Sequence, residues 1–287
     1  MLARSRAAAT MVGREWRTIR ASGDWAAQWQ LKLTNLSRLV VAAQIGAAAA
    51  GAASVDDDLY RSGYPEKALA EVDPAGFGGW AEHPTSGAVR TIPSLLYPAV
   101  ITARATPGTA TQKLAAGGRV AQTMAHWAVS EAGRNAAMVG ATGRARTSMM
   151  FVDPAPMCQR CAALVGKLFK PGARSFTRHP GCDGRLVAVS DRDKPSMPPL
   201  DVSDIKDLTR DQLRAIEDGA DINQVINAKT AGRITRDGET KSVLRANGTR
   251  TMYGARGMER WTPNAIYAKA DDQDMAIQLL RKHKYMR

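Results

Sequence analysis

Apolar residues near the start of the chain recur with the spacing of a long helix. Leucine and valine side chains recur at spacings that include three and four residues: Leu31, Leu33, Leu36, Leu39 and Val40. Three tryptophans add bulky apolar anchors to the same stretch: Trp16, Trp25 and Trp29. We therefore predict helix over about the first 55 residues, ended by the acidic run Asp56, Asp57 and Asp58.

The most apolar part of this stretch is LVVAAQIGAAAAGAAS, Leu39 to Ser54. It is short for a membrane span, it contains Gln44, and its alanines and glycines contribute little transfer free energy. We predict a helix packed closely against a neighbour, and no membrane association. No apolar core of signal-peptide length precedes Arg14, so a secretory signal peptide is not expected.

The middle of the chain mixes proline-rich turns with one strong helix. Prolines punctuate residues 66–110, which predicts short helices and turns. From Gly118 onward, one face of a helix is predicted: Val120, Met124, Trp127, Ala128 and Glu131. Between Phe151 and Ser190, further prolines argue against long helices, and Leu186 to Val189 predicts a short strand.

The C-terminal part carries the start and stop patterns of several helices. Thr209 with Gln212 predicts a capping box, and Gly219 a C-terminal cap. Thr262 with Pro263, and then Asp271 or Asp272, predict two further helix starts. The predicted fold class is mainly α: a helical N-terminal half, a small irregular α+β segment with a zinc knuckle, and a helical C-terminus. The corresponding regions are 1–115, 116–200 and 201–287.

Charge adds a functional indication to this pattern. The 287 residues hold 40 Lys and Arg against 27 Asp and Glu, a net charge of +13. Composition close to globular averages excludes wholesale disorder, and the surplus favours a polyanionic neighbour, most simply nucleic acid. The surplus is concentrated in Arg4 to Arg38 and in Lys229 to Arg287, which suggests an extended contact. A solvated helix face is the alternative for the first of these stretches.

The three cysteines form the most specific motif in the chain. Cys158 and Cys161 make a C-x2-C pair, and after seventeen intervening residues His179 and Cys182 make an H-x2-C pair. Three thiolates and an imidazole are the ligand set of a closed, tetrahedral, structural Zn²⁺ site. Two alternatives stay open, buried reduced thiols or a disulfide such as Cys158–Cys161. An odd number of cysteines fits a reducing compartment better than secretion.

The segment CQRCAALVGKLFK…GARSFTRHPGCDG resembles phage minor head proteins of the MuF-like class. The resemblance extends to GADINQVINAK and to the closing TPNAIYAKADDQDMAIQLLRKHKYM, so that it covers residues 115–287 with motifs. It assigns Cys158, Cys161, His179 and Cys182 to a metal-like motif of that class. Relatives often carry a second cysteine where this chain has Gly184.

This resemblance implies a non-enzymatic virion component, made in the host cytoplasm and located in the capsid interior at the portal vertex. The implied partners are the portal protein, the capsid interior or scaffold, and packaged DNA bound without sequence preference. A zinc-stabilised DNA-binding module and an HNH-like nuclease are the competing hypotheses. The nuclease would need a His-Asn-His trio around the knuckles, and of these the motif supplies His179 alone.

Overall fold

A computed structural model describes residues 2–84, 86–171, 183–193, 195, 199–227, 232–234, 239–242 and 260–286. The chain divides into two compact units. Unit 1 comprises residues 1–152 and 167–195, and unit 2 comprises residues 153–166 and 196–287.

Helices dominate the described part of the chain, which confirms the predicted mainly α class. The α-helices are α1 (Leu2–Arg17), α2 (Trp25–Arg61), α3 (Ile92–Leu96), α4 (Pro98–Ala105), α5 (Ala110–Thr142), α6 (Gln159–Ala162), α7 (Arg210–Glu217), α8 (Ile222–Asn227), α9 (Pro263–Lys269) and α10 (Gln273–Lys282). Short 3-10 turns span Pro74–Phe77 and Val202–Asp204.

The strands are short and form small separate sheets. They are β1 (Trp80–Glu82), β2 (Val89–Thr91), β3 (Thr147–Val152), β4 (Met157–Cys158), β5 (Leu168–Phe169), β6 (Arg185–Ser190), β7 (Ile205–Lys206), β8 (Gly232–Ile234), β9 (Glu239–Ser242) and β10 (Arg260–Trp261). Strand order is β5-β3-β6 in the antiparallel sheet of unit 1. Strand β6 contains the segment 186–189, so the strand predicted there is confirmed.

The core of unit 1 lies between α1, α2 and α5, with α3 and α4 closing one end. Trp16 and Trp29 meet edge to face, with ring centroids 4.9 Å apart. Each indole also donates a hydrogen bond to a backbone carbonyl, Trp16 to Leu114 at 2.7 Å and Trp29 to Leu96 at 3.3 Å. These two predicted anchors therefore fix α1 and α2 to the rest of the unit.

Helices α2 and α5 approach each other through small residues. A Cβ atom on Gly51 would lie 1.9 Å from the carbonyl oxygen of Gly133, so only glycine fits at this crossing. The predicted close packing of the alanine-rich helix is confirmed. By length and composition α2 is also apolar enough to cross a bilayer, and 33% of its most apolar 18-residue window is buried within the chain. A core helix passes the same test.

The acidic run does not end α2, so that prediction was wrong. The helix continues to Arg61, and two of its aspartates, Asp56 and Asp58, bind neighbouring elements instead. Asp56 pairs with Arg144 at 2.5 Å. Asp58 accepts a hydrogen bond from the backbone amide of Ala188 at 3.2 Å and lies 3.5 Å from the Arg185 guanidinium. Asp58 thus satisfies a backbone amide on the unpaired edge of β6. This contact compensates for the low helix propensity of aspartate.

Two substitutions of Asp58 distinguish the effect of its charge from the effect of its hydrogen bond. Burial raises the pKa of Asp58, although Arg185 and the Ala188 amide act in the opposite direction. We expect Asp58→Asn, which keeps an acceptor oxygen, to stay within about 1 kcal/mol of the wild type at neutral pH. Asp58→Ala should lose about 1–2 kcal/mol because the Ala188 amide is left without its acceptor. Urea denaturation of both variants measures the difference.

The raised pKa of Asp58 also gives this prediction a pH dependence. Its contribution to stability is fully present below the unfolded-state pKa and is lost as the pH rises through the folded-state pKa. On acidification from neutral pH into the acidic range, the wild type should therefore gain stability relative to Asp58→Asn. A difference between the two proteins that is constant with pH would contradict this expectation.

Unit 2 is built from the C-terminal helices, a parallel strand pair and an antiparallel sheet of order β10-β9-β8. Strand β4 pairs in parallel with β7, so that Cys158 lies opposite Lys206. Its core contains Val225, Ile266, Leu280 and Tyr285. The predicted helix starts are confirmed: the capping box of Thr209, the cap of Thr262 before Pro263, and a cap at Asp272. Gly219 ends α7 with a φ of +94°, as a C-terminal cap requires.

Candidate functional site

The C-x-x-C pair lies at the start of unit 2, where β4 passes directly into α6. Cys158 is the N-cap residue of α6 and is half-buried, and Cys161 is buried one turn further on. The two thiols are not joined in a disulfide. Their position at the start of one helical turn is the local geometry in which a C-x2-C pair can bind a single metal ion.

Two glutamines hold this turn in place. The side-chain amide of Gln159 donates to the backbone carbonyl of Asp207 at 2.5 Å. The Gln212 amide donates to the Gln159 side-chain oxygen at 3.2 Å, and Gln212 itself belongs to the capping box of α7. The short helix that carries both cysteines is therefore tied to β7 and α7. No spacing in the sequence indicates this contact, because Gln159 and Gln212 are 53 residues apart.

The other two predicted ligands, His179 and Cys182, lie outside the described residues. Within the described part of the chain, His, Cys, Asp and Glu side chains form no group of three or more that could hold a metal ion. Cys158 and Cys161 could supply two of the four ligands of a tetrahedral site. The zinc site of Cys158, Cys161, His179 and Cys182 thus stays a prediction.

A second candidate surface is the outer side of α1 and the turn that follows it. Its buried side faces the core through Ser5, Ala8, Val12 and Trp16. On the other side of α1 the guanidinium groups of Arg4, Arg14 and Arg17 are exposed. The guanidinium group of Arg20, in the turn after the helix, is exposed as well. We call these four residues the arginine cluster. None of them makes an ion pair with any residue that the structure describes.

Several other basic residues of unit 1 differ from the arginine cluster because they have acidic partners. Arg104 pairs with Asp24 at 2.7 Å, Lys32 with Glu15 at 3.0 Å and Arg192 with Glu66 at 3.2 Å. Buried guanidiniums are also neutralised, including Arg134 by Glu131 at 3.1 Å. Arg134 therefore has a structural role, as an ion-pair partner within α5. The arginine cluster groups four unpaired charges on α1 and the turn after it, while other exposed arginines without an acidic partner among the described residues, such as Arg38, Arg90 and Arg119, are spread over other elements.

Asp183 joins α1 to α5 through two basic side chains. Its carboxylate lies 2.9 Å from the Arg6 guanidinium and 3.8 Å from Nε2 of His126. Burial lowers the pKa of His126, opposed by Asp183 and reinforced by Arg134 and Arg6, so the imidazole is neutral at pH 7. No local pattern in the sequence singles out Asp183, because its partners are far away in the chain.

A cavity of about 590 Å³ opens on unit 1 between α2, the β1–β2 hairpin, α3 and α4. Its walls combine apolar groups from Pro93, Tyr97 and Ile101 with the polar groups of His83 and Arg90. A ligand with both apolar and hydrogen-bonding groups would suit it. The hairpin that forms one wall was not predicted, because strands of three residues leave almost no alternation in a proline-rich sequence.

In unit 2, Tyr267 forms a compact polar cluster. Its hydroxyl donates to Asp218 at 2.5 Å, and the Arg214 guanidinium lies 4.5 Å from its ring centroid. Burial, together with the hydrogen bond to Asp218, raises the pKa of Tyr267, so the phenol stays protonated. Gln273 also donates to Asp218, at 2.8 Å. The cluster therefore ties α7 to α9 and α10.

No protein-family model matches the chain, and no curated protein or solved structure matches it either. What the protein does is therefore inferred from its own residues.

Proposed function

We propose that the protein is a structural, non-enzymatic component of a phage head, of the MuF-like minor capsid class. It occupies the capsid interior at the portal vertex and binds the portal protein and packaged DNA. The observation that carries the DNA contact is the arginine cluster, four exposed guanidiniums without ion-pair partners among the described residues. The virion assignment rests on the resemblance of the cysteine-containing segment and of the C-terminal segments.

The arginine cluster suits a phosphate backbone for electrostatic reasons. Arg14 and Arg17 are one helical turn apart, so their charges repel each other when no anion is nearby. Glu15 lies between them in sequence, but its carboxylate engages Lys32. A polyanion relieves this repulsion and releases its own counterions, which is the main source of non-specific DNA affinity.

The geometry of α1 favours contact with the backbone over reading of bases. One side of the helix is packed in the core of unit 1, so only the outer side can meet DNA. This side offers long guanidinium side chains, which bind phosphates without discriminating between sequences. Binding that is insensitive to sequence and strongly sensitive to salt is therefore expected.

Removing two charges from the arginine cluster should weaken DNA binding and flatten its salt dependence. For Arg14→Gln/Arg17→Gln we expect the slope of log K against log salt to fall in magnitude by about 2, one unit per lost phosphate contact. Fluorescence anisotropy with duplexes of unrelated sequence at several salt concentrations measures the slope. Equal losses on all duplexes would support backbone contact.

The matched control removes the same charge elsewhere in unit 1. Arg104→Gln/Arg192→Gln also lowers the net charge by two, but both side chains are already paired, with Asp24 and Glu66. This variant should keep a slope close to that of the wild type. If both double variants lose the same slope, net charge alone explains binding and the arginine cluster has no special role.

The virion assignment has its own test. Mass spectrometry of purified particles should detect the protein in few copies, and it should co-purify with the portal protein. Absence from mature particles together with no portal association would contradict the proposal. Plasmid cleavage with Mg²⁺ or Mn²⁺ that disappears in His179→Ala would support the HNH-like nuclease alternative instead.

The zinc site predicted at Cys158, Cys161, His179 and Cys182 implies a measurable metal content. We expect about one zinc per chain in the purified wild type, because four soft or borderline ligands close one tetrahedral site. Cys161→Ser should lose most of it, and Ala163→Ser, two residues further on, should keep it. Inductively coupled plasma mass spectrometry measures the ratio. Equal and negligible zinc in all three proteins would remove the site.

A further inference from the structure

The two-stranded sheet of β1 and β2 directs the backbone groups of alternate residues away from the hairpin. Arg90 lies opposite Ala81. Two positions along the same ladder, His83 donates its backbone N–H to Ala88 O at 2.8 Å. Hydrogen-bonded pairs alternate with non-bonded pairs in an antiparallel ladder, so Arg90 and Ala81 also form a bonded pair. The N–H and C=O groups of Val89, which lies between these two pairs, therefore point outward.

The outer edge of β1 is covered by side chains from two helices. The Gln44 amide of α2 donates to Trp80 O at 2.8 Å, and the Trp127 indole of α5 donates to Glu82 O at 2.7 Å. Both carbonyls point away from β2, because their residues alternate with the bonded positions of the ladder. This edge of the sheet is therefore closed to another strand.

The outer edge of β2 has no such cover. All three residues of β2 are exposed, and the Val89 side chain is exposed by 65%. Neither the N–H nor the C=O of Val89 bonds to any residue in the part of the chain that the structure describes. An uncovered strand edge is a template for pairing with another extended segment. The sheet can therefore gain a third strand beside β2.

The cavity of unit 1 lies on the side of the hairpin that carries the Arg90 side chain. Arg90 lines this cavity together with apolar groups from Pro93, Tyr97 and Ile101. Tyr97 is exposed by 36% and Ile101 by 58%. Side chains of a strand alternate between the two faces of a sheet, so every second residue of an added strand would lie on the cavity side. Apolar side chains at those positions would cover the exposed apolar groups.

Charge complementarity indicates the chemistry of the partner. Arg90 is exposed and makes no ion pair with a described residue, and none of the described residues that line the cavity is acidic. An acidic side chain directly across from Arg90 is therefore favourable. A second copy of this chain suits the edge poorly. Two β2 strands paired antiparallel about this position would place Arg90 against Arg90.

We propose that the open edge of β2 binds an extended segment of a partner protein as an antiparallel third strand. An aspartate or glutamate of that segment lies opposite Arg90, and apolar side chains two residues before and after it lie on the cavity side. The residue that follows the acidic one lies opposite Val89 and exchanges two backbone hydrogen bonds with it. This interaction is independent of the arginine cluster's contact with DNA.

A synthetic peptide tests the strand pairing on the full chain. The probe is an acetylated and amidated heptapeptide with the sequence threonine-leucine-threonine-aspartate-threonine-leucine-threonine, which has its aspartate and both leucines on one face. In a proton–nitrogen NMR titration, the Val89 amide proton should shift downfield because it gains a carbonyl acceptor. N-methylation of the threonine after the aspartate should weaken binding by about ten-fold. N-methylation of the aspartate, whose amide points away from β2, should leave the affinity unchanged.

A charge swap tests the position opposite Arg90. Arg90→Glu should weaken binding of the aspartate peptide by about five-fold and strengthen binding of the corresponding lysine peptide by a similar factor. Arg38→Glu, an exposed reversal on α2, should change neither affinity. Fluorescence anisotropy of labelled peptides measures all four combinations.

Substitutions of Val89 test the same edge from the side of the protein. Val89→Pro removes the outward amide without removing a hydrogen bond of the hairpin, so binding should be lost. Val89→Thr keeps the amide and should bind like the wild type. Circular dichroism checks that both variants keep the helix content of the wild type. The N-methylated peptides test this hydrogen bond without changing the chain.

Several outcomes would overturn the proposal. One is a Val89 amide that does not shift up to the solubility limit of the peptide. Another is equal affinity of the two N-methylated peptides, and a third is a wild type that binds the lysine peptide as well as the aspartate peptide. N-acetylaspartate amide that binds as tightly as the heptapeptide would assign the cavity to small carboxylates and exclude the added strand.

Discussion

Replacing Gly51 with alanine is expected to lower the free energy of unfolding of unit 1 by about 3 kcal/mol. The added methyl group would lie 1.9 Å from the carbonyl oxygen of Gly133, which belongs to the backbone of α5 and cannot rotate away. Helices α2 and α5 must therefore separate, and this loosens the contacts along the whole crossing. The loss outweighs the gain of about 1 kcal/mol that alanine brings to a helix interior. Thermal and urea denaturation measure it.

Gly140→Ala is the matched control for this prediction. Gly140 is also buried in a helix, but a Cβ there would lie 3.5 Å from Val55, which is ordinary van der Waals contact. The alanine should be neutral or stabilising by up to about 1 kcal/mol. If Gly51→Ala and Gly140→Ala behaved alike, the crossing at Gly133 would not be as close as described.

Gln44→Leu should cost about 2–3 kcal/mol, although leucine fits the apolar surroundings better. Gln44 is fully buried in α2, and its side-chain amide donates to Trp80 O at 2.8 Å and to Ala128 O at 3.3 Å. Its side-chain oxygen accepts from the Gly79 amide at 2.9 Å. Leucine would leave the backbone groups of Gly79 and Trp80 without partners.

The comparison for Gln44 is another glutamine of the same helix. Gln28 likewise binds backbone groups, accepting from the Arg20 amide at 2.8 Å, but in an exposed turn where water can replace it. We expect Gln28→Leu to cost less than about 1 kcal/mol. Urea denaturation measures both variants. A similar loss of unfolding free energy for the two would mean that burial does not distinguish them.

Local features of the fold were predictable from the sequence. The helix starts at Thr209, Thr262 and Asp272 depend on a side chain that binds an amide two or three residues away, so the pattern is contained in a few letters. The strand at 186–189 was similarly visible in four consecutive apolar residues. Such features require no knowledge of distant parts of the chain.

Features that depend on distant partners were not predictable in the same way. Among the leucines near the start of α2, Leu33 and Leu36 are buried, whereas Leu31 is 86% exposed. The spacing fits more than one helix face, and only the packing against α5 selects one. The acidic run was misjudged for the same reason, because the partners of Asp56 and Asp58 lie about 90 and 130 residues away.

The candidate sites likewise combine local features that the sequence predicts with features that depend on distant partners. Net charge predicted a basic surface, but only the ion pairs show that the arginine cluster is available while Arg6 is bound to Asp183. The C-x-x-C spacing placed Cys158 and Cys161 on one turn, as the structure has them. The glutamines that fix that turn belong to no recognisable motif, so their contact could not be predicted.

The route of the chain between the two units limits how the protein can be divided into fragments. The chain leaves unit 1 after Val152, returns at Lys167 and leaves again after Pro195, so three covalent crossings join the units. A fragment of residues 196–287 would contain β7 but not β4, its parallel partner. Such a fragment would also lack the cysteine pair. During synthesis, β4 in residues 153–166 therefore cannot pair with β7 until the ribosome has passed residue 206.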